Sequence, residues 1–130
     1  MSNKYGAVPK QVDGYKFASG AEARRYEELR LQALAGEITD MTVHPRFPLY
    51  APYIGQFDVD MEDPRDELIF GSLLVRRIGY YTADFAYHRR GAAVVEDVKG
   101  GRATRTEAYR LRKRLVEATY GITITEVVMP

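Results

Sequence analysis

At 130 residues with a formal net charge of +1, 45% apolar and 28% charged, the chain has the length of one domain and a globular rather than a disordered composition. The absence of cysteine excludes disulfides, thiolate metal sites and a cysteine nucleophile, and suits a reducing cytoplasm. No apolar run reaches the length of a membrane span, and the start MSNKYGAVPK lacks the apolar core of a signal peptide, so a cytoplasmic location without a membrane partner is expected.

Residues 1–16 read as an extended or flexible arm of the single domain 1–130, with Val12-Asp13-Gly14-Tyr15 as a turn before a short extended piece at Tyr15–Ala18. The first helix is predicted from Ser19 to Gly36. Ser19 and Glu22 have the S-x-x-E spacing of a capping box, and Gly36 stands where a C-terminal cap belongs. Glu22, Tyr26, Leu29 and Ala33 recur at helical spacing and share one face. Ile38–Val43 alternates as a strand until His44-Pro45 breaks it, and Arg46–Tyr50 reads as another short strand.

The acidic stretch Asp58–Glu67 is expected to be a loop or hairpin tip, with Asp58 and Asp60 exposed, and Leu68–Val75 a strand. Ile78–Tyr87 is a stronger strand, with Tyr81, Ala83, Phe85 and Tyr87 on one face and Tyr80, Thr82, Asp84 and Ala86 on the other. After a turn at Arg89-Arg90-Gly91, Ala92–Lys99 begins apolar on both faces, as a covered central strand would, and ends in Glu96, Asp97 and Lys99. A second helix is predicted from about Thr104 to Tyr120, burying Ala108, Leu111, Leu115 and Ala118. Gly121 then ends it, and Ile122–Val128 forms a last strand. This order predicts an α/β fold with a mixed central sheet flanked by helices.

The chemistry concentrates on two neighbouring strands. Alternation sends Asp97 and Lys99 to one side and Glu96 to the other, and a hairpin brings Asp84 near Asp97. Two adjacent carboxylates repel unless a positive group lies between them, and a hard divalent cation such as magnesium is the natural partner. A metal can activate water and polarise a phosphoryl oxygen, while the Lys99 ammonium can orient that water or stabilise developing charge. No P-loop, G-x-G-x-x-G, G-x-S-x-G or H-E-x-x-H is present.

Asp84 followed thirteen residues on by Asp97-Val98-Lys99 resembles the PD-(D/E)xK nuclease signature, although the proline of its name is missing before Asp84. Val12-Asp13-Gly14, Phe17, Ser19, Glu22-Ala23, Arg25-Tyr26, Tyr81–Phe85 and Val95–Gly100 together resemble a more specific group. It is a family of small phage and prophage endonucleases described as Holliday-junction-resolvase-like (domain of unknown function 1064), and the likeness runs from about residue 4 to residue 127.

The resemblance implies a restriction-endonuclease-like αβββαβ core and hydrolysis of DNA phosphodiester bonds with Mg2+, Mn2+ serving as a substitute. It implies Asp84 and Asp97 as metal ligands, Glu22 as a third, and Lys99 as the remaining catalytic residue. It further implies branched or junction DNA as substrate, a homodimer to make paired cuts, and a possible partner in phage replication or packaging. The acid-rich stretch Gln56–Gly79 is longer than the family pattern leads one to expect.

Each residue also has a plainer role. Glu22 can act as a helix cap, Asp84 as a turn residue, and Asp97 with Lys99 as an ion pair at a strand end. Glu96 reads as structural. Arg102, Arg105, Arg110, Arg112, Lys113 and Arg114 suit a wet helix face, and of this region Arg105, Tyr109 and Lys113 are the expected DNA-binding residues. His44 and His88 have no ligand spacing to one another, and a general-base role for either is a distant alternative. Two further readings of function are a sequence-tolerant nicking or flap endonuclease and a non-catalytic DNA-binding module that keeps the fold.

Overall fold

The computed structural model describes residues 8–52, 67–70, 73–100 and 105–130. The acidic run from Asp58 to Asp66 and Arg102 lie outside them. In chain order the elements are β1 (Lys10–Val12), β2 (Tyr15–Phe17), α1 (Gly20–Leu34), β3 (Thr39–Val43), β4 (Arg46–Pro52), β5 (Glu67–Phe70), β6 (Leu73–Thr82), β7 (Phe85–Arg89), β8 (Ala92–Gly100), α2 (Glu107–Tyr120) and β9 (Ile124–Met129).

One sheet runs β3-β7-β8-β9. Its first two pairings are antiparallel, and β8 pairs with β9 in parallel, with α2 as the crossover that a parallel pair needs. With α1 placed before β3, this sheet has the order αβββαβ. A second, antiparallel sheet, β4-β6-β5, is inserted between β3 and β7. The mixed α/β architecture expected from the sequence is therefore present. Among the described residues no helix is long and apolar enough to cross a membrane.

Local chemistry explains the boundaries. Ser19 caps α1 by accepting from the Glu22 N–H at 3.3 Å. At the other end Gly36 takes φ +78°, its N–H donates to Ala33 O, and Glu37 N–H donates to Gln32 O, a Schellman ending. Arg90-Gly91, with φ +52° and +78°, makes the two-residue turn of the β7–β8 hairpin, where both central positions need positive φ.

The helices cover opposite faces of the four-stranded sheet. Phe17, Tyr26, Leu29, Ile38, Phe85, Tyr87, Val98 and Met129 form a core beneath α1. Leu49, Tyr81, Ala83, Val95, Val116 and Ile124 form a second core beneath α2.

Four expectations are corrected. Of the extended or flexible arm expected over residues 1–16, the part from Lys10 is extended but packed: β1 and β2 form a hairpin around the expected turn at Asp13-Gly14, pinned to α1 by the Tyr26 hydroxyl, which donates to Asp13 Oδ2 at 2.9 Å. Leu68–Val75 is not one strand but the two arms of a hairpin, with Phe70 opposite Leu73. Nor is Ile78–Tyr87 a single strand. It breaks at Ala83-Asp84, where the chain passes from one sheet to the other, so Tyr81 and Ala83 enter the core under α2 while Phe85 and Tyr87 enter that under α1.

The fourth correction concerns α2, which begins at Glu107 after the cap Thr106 and turns a different face inward. Val116 is buried and Tyr109, Lys113 and Leu115 are half-buried, whereas Ala108, Leu111 and Ala118 are exposed. The Tyr109 ring and the Lys113 stem supply the covering surface that small alanines cannot.

Candidate active site

Three segments meet at one end of the four-stranded sheet: the first turn of α1, the corner between β6 and β7, and the end of β8. They enclose a cavity of about 300 Å³ lined by Glu22, Asp84, Asp97 and Lys99, with Tyr80, Thr82, Tyr109 and Arg112 among its other walls. All four residues expected to be catalytic are thus brought together.

Asp84 is held by backbone on three sides. Its N–H donates to Glu96 O at 3.0 Å, its carbonyl accepts from the His44 N–H at 2.9 Å, and its Oδ2 accepts from the Val98 N–H at 2.7 Å. Burial pushes its carboxyl above the usual range, against the pull of the Val98 N–H, Lys99 and His44. Glu22 stands at the third position of α1, where Oε2 accepts from the Ala18 N–H at 3.3 Å. Burial above all, and then the neighbouring charge of Asp84, push it up to about 7. A carboxylate oxygen of Glu22 and one of Asp84 lie within 4.8 Å of each other, close enough for their charges to repel.

Asp97 is 5% exposed and accepts a hydrogen bond from the Tyr81 hydroxyl. Burial raises its carboxyl also, opposed by Lys99 and by a hydrogen bond from Tyr109. The Lys99 ammonium lies 3.6 Å from the centroid of the Tyr109 ring, a cation–π contact that steers it along the cavity wall.

Among the described residues, the side chains whose ligand atoms lie within 4.8 Å of one another are Glu22, His44 and Asp84. Asp97 stands outside that group, though near enough for its charge to act on Glu22. Two carboxylates this close, with a third nearby, are an oxygen-rich donor set of the kind that Mg2+ or Mn2+ takes.

Glu96 faces the other way, as expected. It is 1% exposed, receives Arg25 at both oxygens (2.9 and 2.7 Å), and accepts a hydrogen bond from the Tyr87 hydroxyl.

The expected DNA-binding trio is found together, but around a carboxylate. Arg105 Nε reaches Glu126 Oε2 at 2.7 Å, the Tyr109 hydroxyl donates to the same oxygen at 3.2 Å, and Lys113 Nζ lies 3.4 Å from Oε1. Burial works against the Glu126 charge, but Arg105 and Lys113 outweigh it and hold the carboxyl below its usual range. The exposed His88 of β7 pairs with the exposed Asp40 of β3 at 3.3 Å, far from this chemistry in the strand register.

Sequence reasoning missed Tyr81, Glu126 and above all His44. The last was marked only by the strand break at His44-Pro45 and by a distant general-base alternative, and its spacing to Glu22 and Asp84 follows no helix or strand period.

A family model with the description "Protein of unknown function (DUF1064)" matches residues 2–128. Neither the curated proteins nor the solved structures contain a match to the chain.

Proposed function

The chain belongs to the DUF1064 family of proteins of unknown function, and from that premise we propose that it is a metal-dependent DNA endonuclease of the PD-(D/E)xK type. One observation carries the proposal: Glu22, Asp84, Asp97 and Lys99, drawn from three separate segments, converge on a single cavity. A solvated ion pair at a strand end would need neither the buried Asp97 nor Glu22 and Asp84 with oxygens within 4.8 Å of each other.

Glu22 and Asp84, with Asp97 beside them, would hold Mg2+ or Mn2+. Such an ion lowers the pKa of a bound water and polarises a phosphoryl oxygen. Lys99, steadied by the Tyr109 ring, would orient the attacking water and stabilise charge on the phosphorane-like transition state as the P–O ester bond breaks. At the rim, Arg112 lines the cavity and the Arg46 guanidinium lies 3.8 Å over the Tyr80 ring, cations suited to a phosphate backbone. Branched DNA is the proposed substrate and rests on the family resemblance.

The test is cleavage of labelled four-way junction, flap and linear duplex by wild type, Asp97→Ala and Lys99→Ala, with Mg2+, Mn2+ or EDTA. Metal-dependent cutting that both variants lose by at least ~100-fold is expected. Wild type that cuts none of these DNAs with either metal overturns the proposal. Cutting of the junction ahead of the other two supports a resolvase, and equal cutting of all three a sequence-tolerant nuclease.

A further inference from the structure

We propose that His44 is a nitrogen ligand to the metal held by Glu22 and Asp84, and that it shifts the preference of the site from magnesium toward manganese. The inference deepens the nuclease reading by naming the ion, and its metal chemistry can be tested apart from cleavage.

His44 is aimed at the site by its backbone. It has φ +55°, in the left-handed region that few residues other than glycine adopt. In that conformation its N–H donates to the Asp84 carbonyl at 2.9 Å, and the adjoining Pro45 carbonyl accepts from the Ala83 N–H at 3.0 Å. These two bonds hold the β3–β4 junction against the β6–β7 corner, so the histidine and the aspartate are placed by one piece of backbone.

The ring is held as well. It packs against Phe17 with centroids 5.7 Å apart, and Nε2 lies 3.9 Å from Glu22 Oε2. Ligand atoms of Glu22, His44 and Asp84 within 4.8 Å span a space that an ion with bonds of about 2.1 Å closes by a small inward movement.

The chemistry of the third donor then sets the choice of ion. Magnesium takes hard oxygen ligands and gives up water reluctantly, whereas first-row transition ions accept imidazole readily. Two carboxylates alone accept either magnesium or manganese; an imidazole added to the set tips the choice toward manganese.

The experiment uses the full chain with Mn2+ alone as the probe. Electron spin-echo envelope modulation detects 14N coupling from a coordinated imidazole, and competition with Mg2+ gives relative affinities. The chain has two histidines, so His88→Ala is a complete control. His44→Asn is the chosen variant because asparagine tolerates the left-handed backbone.

Expected are a 14N signal in wild type and His88→Ala, its loss in His44→Asn, and a fall of ~10-fold or more in Mn2+ affinity relative to Mg2+. Wild type lacking the 14N signal, or His44→Asn keeping the wild-type Mn2+ to Mg2+ ratio, overturns the inference even where cleavage is intact. A 14N signal in a protein that cuts no DNA upholds the ligand and sinks the nuclease instead.

Discussion

Arg25 and Glu96 meet in a two-pronged ion pair, Nε to Oε1 at 2.9 Å and Nη2 to Oε2 at 2.7 Å, which ties α1 to the middle of β8. Arg25 lies one helical turn after Glu22, and Glu96 directly precedes Asp97. The pair therefore fixes the spacing of two site carboxylates from the opposite face of the sheet. Arg25→Ala leaves Glu96 charged and nearly dry, and is expected to cost about 3 kcal/mol in urea denaturation. Replacing both by methionine should recover most of that loss, because no unpaired charge then remains.

The raised pKa of Glu22 gives the metal-free protein an inverted pH dependence. The folded chain holds this proton with a pKa of about 7 against an ordinary 4.5, so the proton favours folding. That contribution is complete below 4.5 and lost as pH rises through 7. In EDTA, Tm should therefore fall between pH 5 and pH 8, on the order of 5 °C from this group. Glu22→Gln should flatten that fall and exceed wild type in Tm at pH 8. Added Mn2+ should raise wild-type Tm more at pH 8 than at pH 5, since protons compete for the same oxygens.

Tyr109 presents its ring to Lys99 and its hydroxyl to Glu126 and Asp97. In the proposed nuclease, Tyr109→Phe keeps the ring and should hold kcat within about 3-fold, whereas Tyr109→Leu releases the ammonium and should lower kcat by ~10-fold or more with little change in KM. Equal kcat losses for the two variants would mean that the hydroxyl, not the ring, is the active part.

Glu126 engages the three residues proposed to contact DNA, so its carboxylate competes with phosphate for them. Glu126→Gln should strengthen duplex binding several-fold at low salt and steepen the salt dependence by about one to two phosphate contacts. Unchanged binding in a titration across 50–200 mM salt would assign the trio to holding β9 alone.

Much of this was legible in the sequence wherever local chemistry decides the structure. Ser19, Gly36 and the Arg90-Gly91 turn act through their own backbone neighbourhoods, and the alternation of β8 separates Glu96 from Asp97 without help from elsewhere. The inward face of α2 was not legible, because a tyrosine and a lysine cover the sheet where periodicity credits alanine and leucine. His44 was hidden for another reason: its approach to Glu22 and Asp84 depends on a junction between two sheets, and no spacing along one element encodes that. The break at Ala83-Asp84 escaped notice because all four of Tyr81, Ala83, Phe85 and Tyr87 are buried, only in two different cores.

Because β6 runs into β7 through Asp84, this carboxylate is also a joint in the scaffold. Its neighbours on either side of the joint answer to different sheets: Tyr81 and Ala83 to one packing, Phe85 and Tyr87 to the other. A tilt of the inserted sheet relative to the main one reaches this residue as torsion, as it does the His44-Pro45 junction through which the chain enters that sheet. Strain applied far up β4 or β6, by a bulky substitution or by something pressed against that sheet, is therefore delivered to the site as a change of aim rather than as the loss of a contact.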